Sequence, residues 1–352
     1  MKNVPHNVYI HVPYCKSKCN YCAFFSHACA KPDWEKYCND ICAEINYWGQ
    51  KLGNITIPTI FFGGGTPSLM PTTVFEKIIN TIKNNFQLET DTEITVESNP
   101  ATIDFDKLKD FKSIGANRIS IGIQSLDDKR LQFLGRKHTA NDALQLIEYT
   151  NKLNLRTSAD FIYGLPNDTV QDIIKMCTDI NSLGLTHCSL YELTIEKGTP
   201  FGTMNLKMPS NTEMADMYNA IEKNLNLPRY EVSNYAMPGF ECKHNQNVWD
   251  GKPYIGIGQG AAGRVYINNI WYEQMGNYAQ FEKISDSTRA IEQVITGMRT
   301  IHGCQLTDTI KNVIDMDWAI SNPDLIKIEN ERIATTKKGM LILDEIIVNL
   351  VK

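Results

Sequence analysis

Short apolar runs alternate with longer amphipathic stretches over roughly the first two hundred residues. Runs rich in β-branched and aromatic residues predict six strands, at residues 8–12, 59–62, 93–98, 118–124, 158–163 and 189–195. Apolar residues at helical spacing predict five helices between them, at residues 34–48, 72–85, 106–113, 140–153 and 170–183. Asp33 and Asn141 are predicted to cap two of these helices, and Gly115 and Gly184 to end two others.

A strand followed by a helix, repeated six times, predicts an α/β fold with a parallel sheet and right-handed crossovers. Because six units are too few for a closed eight-stranded barrel, we expect a partial (β/α)6 TIM-like barrel over residues 1–205. In such barrels the reactive groups collect at the carboxyl ends of the strands. The rule gives a place to look for chemistry, namely the residues directly after each predicted strand.

The alternation stops near residue 205. Residues 206–287 predict an accessory α+β segment, with a helix at 211–224, an extended stretch at 229–235, a glycine-rich element at 254–263 and a hairpin at 265–272. The polar stretch 244–249, His-Asn-Gln-Asn-Val-Trp, is predicted to be an exposed loop. Residues 288–352 predict a winged-helix-like C-terminal domain, with helices at 291–299 and 339–350 and a hairpin at 326–334.

Composition narrows the class of protein. The 352 residues carry a net charge of −5 without a basic stripe, which argues against a nucleic-acid surface. No stretch is long and apolar enough to predict a transmembrane segment, and the first residues do not resemble a signal peptide. Ten cysteines without such a signal indicate a reducing compartment. We therefore expect a soluble cytoplasmic protein, monomeric or homodimeric, for which peripheral membrane contact stays open.

Three cysteines follow the first predicted strand at a Cys-x3-Cys-x2-Cys spacing: Cys15, Cys19 and Cys22. A cubane iron–sulfur cluster normally takes four protein ligands, so three thiolates leave one iron open. An amino-acid head group with an amine and a carboxylate is well suited to chelate that iron. The alternative is a structural zinc site, in which Cys29 or His27 supplies the fourth ligand.

Polar and glycine residues come directly after the next strands, as the barrel rule requires. They are Gly64, Gly65 and Thr66 after the second, Glu97 in the third, Gln124 in the fourth and Asp160 in the fifth. Arg136 follows in Leu-Gly-Arg-Lys-His and can form a bidentate pair with a carboxylate. Asp160 needs either a ligand or a basic neighbour such as Arg136. The structural alternatives are tight turns, a solvent-facing glutamate and a surface arginine.

Six motifs occur in a fixed order: Tyr-x-His-x-Pro-Tyr-Cys, Phe-Phe-Gly-Gly-Gly-Thr-Pro-Ser, Glu-Ser-Asn-Pro, Ser-Ile-Gly-Ile-Gln-Ser, Leu-Gly-Arg-x-His and Ile-Tyr-Gly-Leu-Pro. This set resembles the coproporphyrinogen-oxidase-like branch of radical S-adenosylmethionine proteins. That branch includes oxygen-independent coproporphyrinogen III oxidase and heme chaperones of the HemW type. The resemblance covers nearly the whole chain.

The resemblance implies a role for each of these positions. Cys15, Cys19 and Cys22 would bind a 4Fe–4S cluster, and the amine and carboxylate of S-adenosylmethionine would bind its fourth iron. Residues implied to surround that cosubstrate are Tyr9, Tyr21, Gly64, Gly65, Thr66, Glu97, Gln124, Arg136, Asp160 and Ala262. Among these, Arg136 would neutralise the carboxylate and Tyr21 would pack on the adenine.

Two positions separate the chaperones from the oxidases within the branch. Phe24 stands where the oxidase pattern has a fourth cysteine, which favours the chaperone. The chaperones also carry His-Asn-x-x-Tyr-Trp, proposed to bind heme; here Val248 replaces the tyrosine, and His244 is the candidate ligand of heme iron. The alternative for this stretch is a structural loop.

We therefore expect a protein that binds a 4Fe–4S cluster, S-adenosylmethionine and heme, and that transfers heme to acceptor proteins. An electron donor to the cluster is a further expected partner. The alternative function is an oxygen-independent coproporphyrinogen III oxidase, which decarboxylates propionate side chains in porphyrin biosynthesis. A third, non-enzymatic alternative is a zinc-stabilised binding module.

Overall fold

The computed structural model describes residues 4–276 and 280–352. All six predicted strands are present, and each is followed by a helix as predicted. The strands are β1 Asn7–Val12, β2 Thr56–Gly64, β3 Gln87–Ser98, β4 Arg118–Gln124, β5 Arg156–Tyr163 and β6 His187–Glu192. The helices between them are α1 Trp34–Leu52, α2 Thr72–Asn85, α3 Phe105–Ile114, α4 Ala140–Lys152 and α5 Val170–Ser182. A short helix, Asp128–Phe133, precedes α4.

The strands β1 to β6 lie side by side in chain order and are all parallel. Their apolar side chains form one core with the inner faces of α1 to α5, and Phe62, Phe75 and Phe111 are fully buried in it. The expected partial barrel of parallel strands is confirmed. Because the strands are parallel, their carboxyl ends meet at one edge of the sheet.

The accessory segment extends this sheet instead of packing apart from it. The segment contains the helices α6 Asn211–Asn224 and α7 Lys243–Trp249. It adds β7 Asn234–Ala236 beside β6 and, beyond β1, β8 Tyr254–Ile257, β9 Ala262–Ile267, β10 Ile270–Met275 and β11 Phe281–Lys283. Strand β8 is parallel to β1, with Asn7 opposite Tyr254. The predicted hairpin joins β9 to β10, and both Asn268 and Asn269 have the positive φ that such a turn requires. The sheet therefore continues beyond β1.

The C-terminal part has its own apolar cluster. Its elements are α8 Asp286–Gly297, β12 Cys304–Gln305, α9 Asp308–Val313, α10 Met316–Ser321, β13 Ile326–Glu329, β14 Arg332–Thr335, α11 Lys337–Met340 and α12 Leu343–Leu350. The predicted hairpin is β13–β14, and β12 completes a three-stranded antiparallel sheet. The domain boundaries near residues 205 and 287 and the winged-helix likeness stay predictions. Residues 1–3, which belong to the stretch compared with a signal peptide, lie outside the described residues.

None of the helices in the described ranges is both long and apolar enough to span a membrane. The predicted ends at Gly115 and Gly184 are confirmed, since both glycines have positive φ just after a helix. Asp33 caps α1 as predicted, accepting a hydrogen bond from the Lys36 amide at 2.9 Å.

The prediction that Asn141 caps α4 was wrong. The cap is Thr139, whose hydroxyl accepts from the Asp142 amide at 3.2 Å while Asp142 accepts from the Thr139 amide at 2.7 Å. Two backbone donors are satisfied in this way, which a cap two residues later could not achieve.

Replacing Thr139 with alanine is therefore expected to lower the free energy of unfolding by about 1 kcal/mol. Asn141→Ala is the matched control, and a change of a few tenths of a kcal/mol or less is expected there because Asn141 is not the cap. Urea denaturation of the two variants would measure both values. An equal loss in both variants would contradict the assignment.

Candidate cluster and ligand site

The cysteine loop is held by backbone hydrogen bonds to several parts of the barrel. A short parallel pair, Tyr14–Cys15 with His27–Ala28, closes the loop at its base. Farther out, the Asn20 amide donates to the Leu134 carbonyl at 3.0 Å, and the Asn20 carbonyl accepts from the Phe201 amide at 2.9 Å. The loop is thus fixed to the carboxyl edge of the sheet by contacts distant in sequence.

A cavity of about 420 Å³ opens at this edge. All three cysteines of the motif line it, together with eight of the ten residues implied to bind the cosubstrate. Those eight are Tyr21, Gly64, Gly65, Thr66, Glu97, Gln124, Arg136 and Asp160. Phe24 also lines the cavity, and 69% of its side chain is exposed. Residues from five successive strand ends and one loop therefore meet where the barrel rule expects them.

Two of the thiols have polar neighbours on the cavity wall. The Thr66 hydroxyl donates to Cys15 Sγ at 3.5 Å, and Arg136 Nη1 donates to Cys19 Sγ at 3.5 Å. Both contacts place a hydrogen-bond donor against a sulfur atom on the cavity wall. Within the described ranges, no three His, Cys, Asp or Glu side chains converge as the ligands of a single metal ion would.

The glycine run leaves room beside the cysteines. A Cβ on Gly65 would lie 2.7 Å from the Tyr14 carbonyl and 3.0 Å from Cys15 Sγ, while Gly64 has a φ of 108° and abuts the His11 ring. Any side chain here would displace the cysteine loop or fill the cavity. Three thiols around one cavity with such a cradle fit a group that takes three thiolate ligands.

Arg136 is positioned by a residue that the sequence did not single out. Its Nη2 donates to Asn99 Oδ1 at 2.5 Å and to the Gly122 carbonyl at 2.5 Å. The Asn99 amide in turn donates to the Thr66 hydroxyl at 3.1 Å. Asn99 also lines the cavity, so it links the glycine run to the arginine. Its position directly after β3, near Glu97, was the feature of the sequence that could have indicated a place in the site.

The two half-buried carboxylates of the site have different partners. Asp160 accepts from the hydroxyls of Ser189 at 2.7 Å, Ser120 at 3.2 Å and Ser158 at 3.4 Å. Three serines are thus its hydrogen-bond partners, in place of the basic neighbour that was one of the two alternatives, and a ligand stays the other. Among the described residues, Glu97 accepts a hydrogen bond from the Gly64 amide alone, at 3.1 Å. Burial, and to a smaller extent repulsion from Asp160, raises the pKa of Glu97 to about 8. Glu97 is therefore predominantly protonated at neutral pH.

A second cavity, of about 370 Å³, lies behind the first and is called the inner chamber below. The two cavities share the walls made by Glu97, Ser120, Asp160 and Tyr191. The other three predicted site residues, Tyr9, Ala262 and His244, line this inner chamber and do not line the cysteine cavity. Arg118, Phe61, Val248 and Trp249 are further walls.

The prediction of an exposed loop at 244–249 was wrong. The stretch forms a helix, α7 (Lys243–Trp249), and only 5% of His244 is exposed. The cause is Glu93 on β3, whose carboxylate accepts from the backbone amides of His244 at 3.0 Å and Lys243 at 3.2 Å. A buried carboxylate at the helix amino terminus satisfies free donors and complements the helix dipole.

The hydrogen bonds around His244 determine which ring nitrogen carries the proton. The side-chain amide of Asn7 donates to the Pro253 carbonyl at 3.0 Å, so Asn7 Oδ1 is an acceptor, and it takes the Thr59 hydroxyl proton at 2.8 Å. Thr59 Oγ1 must then accept from His244 Nδ1, 2.7 Å away. The lone pair of His244 is consequently on Nε2. Burial lowers the pKa of His244 to about 3, which keeps the ring neutral.

Comparison with known proteins agrees with this arrangement. The sequence model of the Radical SAM superfamily matches residues 9–180. The heme chaperone HemW of Buchnera aphidicola subsp. Schizaphis graminum is 34% identical over 74% of this chain and 70% of its own length. The heme chaperone HemW of Escherichia coli (strain K12) is 35% identical over 75% of this chain and 71% of its own.

A solved structure covers almost the whole fold. Coproporphyrinogen III oxidase (HemN) from Escherichia coli, described as a radical SAM enzyme, superposes with a TM-score of 0.81 over 98% of this chain and 89% of its own, at 18% identity. The fold and the cysteine cavity thus define a radical SAM protein of the coproporphyrinogen-oxidase-like branch. Within that branch, the chain belongs to the family of HemW heme chaperones.

Proposed function

We propose that this protein is a heme chaperone that binds a 4Fe–4S cluster, S-adenosylmethionine and heme, and that it transfers heme to acceptor proteins in the cytoplasm. The observation that carries the proposal is the neutral imidazole of His244, whose Nε2 lone pair has no hydrogen-bond partner among the described residues and which lines a chamber bordering the cysteine cavity. A neutral imidazole oriented by a bond to its other nitrogen is a common ligand of heme iron. The names of the HemW relatives support the same function.

In this proposal the cysteine cavity holds the cluster and the cosubstrate. Cys15, Cys19 and Cys22 bind the cluster, and Arg136, oriented by Asn99, binds the carboxylate of S-adenosylmethionine. The other proposed contacts of the cosubstrate are Tyr21, Gly64, Gly65, Thr66, Glu97, Gln124 and Asp160, with Tyr9 and Ala262 on the side of the inner chamber. When bound and reduced, such a cluster supplies the electron that cleaves the sulfonium carbon–sulfur bond of S-adenosylmethionine.

Phe24 supports the chaperone over the oxidase. Its exposed ring lines the cavity at the position where the oxidase pattern has a fourth cysteine. A phenyl ring cannot replace a thiol in electron or proton transfer, whereas an exposed aromatic side chain is suited to contact with a partner protein.

A heme titration followed by Soret absorbance tests the proposal. The wild-type chain is expected to bind heme saturably, and His244→Ala is expected to weaken the affinity at least about tenfold through loss of the iron ligand. His302→Ala, in the C-terminal part, is the control and is expected to match the wild type. Unchanged affinity in His244→Ala would remove His244 as the ligand, and absence of saturable binding by the wild type would contradict the function.

A further inference from the structure

Arg118, the first residue of β4, is a buried cation whose side chain has no hydrogen-bond acceptor among the residues that the structure describes. Only 3% of the residue is exposed, and it lines the inner chamber. A guanidinium has five N–H donors. Among the described residues, none accepts a hydrogen bond from the Arg118 side chain or forms an ion pair with it within 4 Å.

Two other arginines whose side chains are less than a tenth exposed, Arg229 and Arg289, form ion pairs. Arg229 forms an ion pair with Glu222 at 2.8 Å and donates to the Tyr235 hydroxyl at 3.0 Å. Arg289 forms an ion pair with Glu292 at 2.9 Å. Arg118 differs from these two in having no ion pair among the described residues, which leaves its N–H groups able to bind a ligand in the chamber that it lines.

The acidic residues near Arg118 are already engaged. Glu93 accepts from the amides of α7 and from Arg156 Nη1 at 3.4 Å, and Asp160 accepts from three serines. Glu97 holds a proton at neutral pH. Burial by itself would lower the pKa of Arg118, but the combined attraction of Cys242, Glu93, Tyr230 and Asp160 raises it. The guanidinium is therefore charged while its N–H groups stay free for a ligand.

The rest of the chamber has aromatic walls beside its polar groups. Phe61 and Trp249 are walls, and the His244 ring packs on Phe61 with centroids 5.1 Å apart. The titratable walls besides Arg118 and His244 are Tyr9, Glu97, Asp160, Tyr191 and Tyr254. A neutral metal-ligating imidazole and a free guanidinium thus share one chamber.

We propose that Arg118 binds a carboxylate of the heme cargo inside the inner chamber, while His244 faces the iron. This assignment rests on the proposed function and adds the residue that recognises the acidic edge of the ligand. Guanidinium and carboxylate form two parallel hydrogen bonds, a geometry that a neutral or esterified group cannot reproduce. The two side chains together orient the ligand and select a porphyrin that carries free carboxylates.

Heme and heme dimethyl ester, titrated into the full chain and followed by Soret absorbance, test the inference. The wild type is expected to bind heme at least about tenfold more tightly than the ester, which lacks the acidic groups. Arg118→Gln is expected to lower the affinity for heme by a similar factor and to leave the affinity for the ester within about twofold. Arg118→Lys, which keeps the charge but not the fork, is expected to lie between the two.

Arg332→Gln, a change outside both cavities, is the control and is expected to bind both porphyrins as the wild type does. A purely structural role for Arg118, as counter-ion of Glu93 and Asp160, predicts that Arg118→Gln weakens both porphyrins alike, and that result would overturn the inference. Equal wild-type affinities for heme and its ester would overturn it too, while leaving the chaperone proposal standing. No binding of either porphyrin by the wild type would instead remove the proposed function and, with it, this inference.

Discussion

Cys19→Ser is expected to abolish retention of iron and acid-labile sulfide after anaerobic reconstitution, from about four iron atoms per wild-type chain to nearly none. Each thiolate of a three-cysteine site holds one iron, and a cluster held by two is expected to be lost readily. Arg136 also donates a hydrogen bond to Cys19 Sγ, so the substitution removes this guanidinium–sulfur contact on the cavity wall. Iron and sulfide content, with visible absorbance, would measure the effect.

Cys29→Ser is the matched control for this loss. Cys29 lies in the same loop, and its amide donates to the Cys15 carbonyl at 2.9 Å, but its thiol does not line the cysteine cavity. We expect this variant to keep wild-type iron and sulfide. If Cys29→Ser lost metal as completely as Cys19→Ser, and the wild type held one zinc per chain, the zinc alternative would replace the cluster.

Glu97→Gln is expected to remove a pH dependence of stability that the wild type shows between about pH 4.5 and 8. The pKa of Glu97 is raised from 4.5 to about 8 by burial and by repulsion from Asp160. In that window the native state keeps a proton that the unfolded chain has released, so the free energy of unfolding falls as pH rises. The glutamine variant should gain stability relative to the wild type by at least about 1 kcal/mol between pH 5 and pH 9, since a one-unit shift is worth that much.

Urea denaturation of the ligand-free protein at pH 5, 7 and 9 measures this difference. Glu345→Gln, at an exposed position of α12, is the control and is expected to leave the pH profile of the wild type unchanged. Parallel profiles for Glu97→Gln and the wild type would mean that the carboxylate is not held protonated. The same measurement bears on the site, because a protonated Glu97 can donate a hydrogen bond to a bound ligand as well as accept one.

The cysteine cavity could be predicted from the sequence because its residues obey a local rule. Gly64, Glu97 and Asp160 each lie near the end of a strand, and parallel strands bring their carboxyl ends together regardless of the chain between them. The spacing of Cys15, Cys19 and Cys22 is equally local. Asn99 also lies at the end of a strand. Its role, however, is to accept a hydrogen bond from Arg136, which lies on a different loop.

The inner chamber could not be predicted in the same way. His244 was expected in a loop because its neighbours are polar, yet Glu93 caps the helix that contains it, and the two residues are far apart in the chain. Which ring nitrogen of His244 is free depends on Thr59, Asn7 and Pro253, three separate segments. Arg118 is the first residue of a mostly apolar strand, and nothing near it in the sequence shows that its side chain has no ion pair within the described part of the chain.

The order of strands and helices, the three-cysteine loop and the edge of the sheet where chemistry collects were determined by the sequence alone, because periodicity and short spacings encode them. Only the tertiary structure decided that the sheet continues past β1, that α7 buries His244, and that a second chamber lies behind the first. These features arise from hydrogen bonds and charges between segments far apart in the chain, such as those of Glu93. The local sequence pattern does not show which distant residues will become such partners.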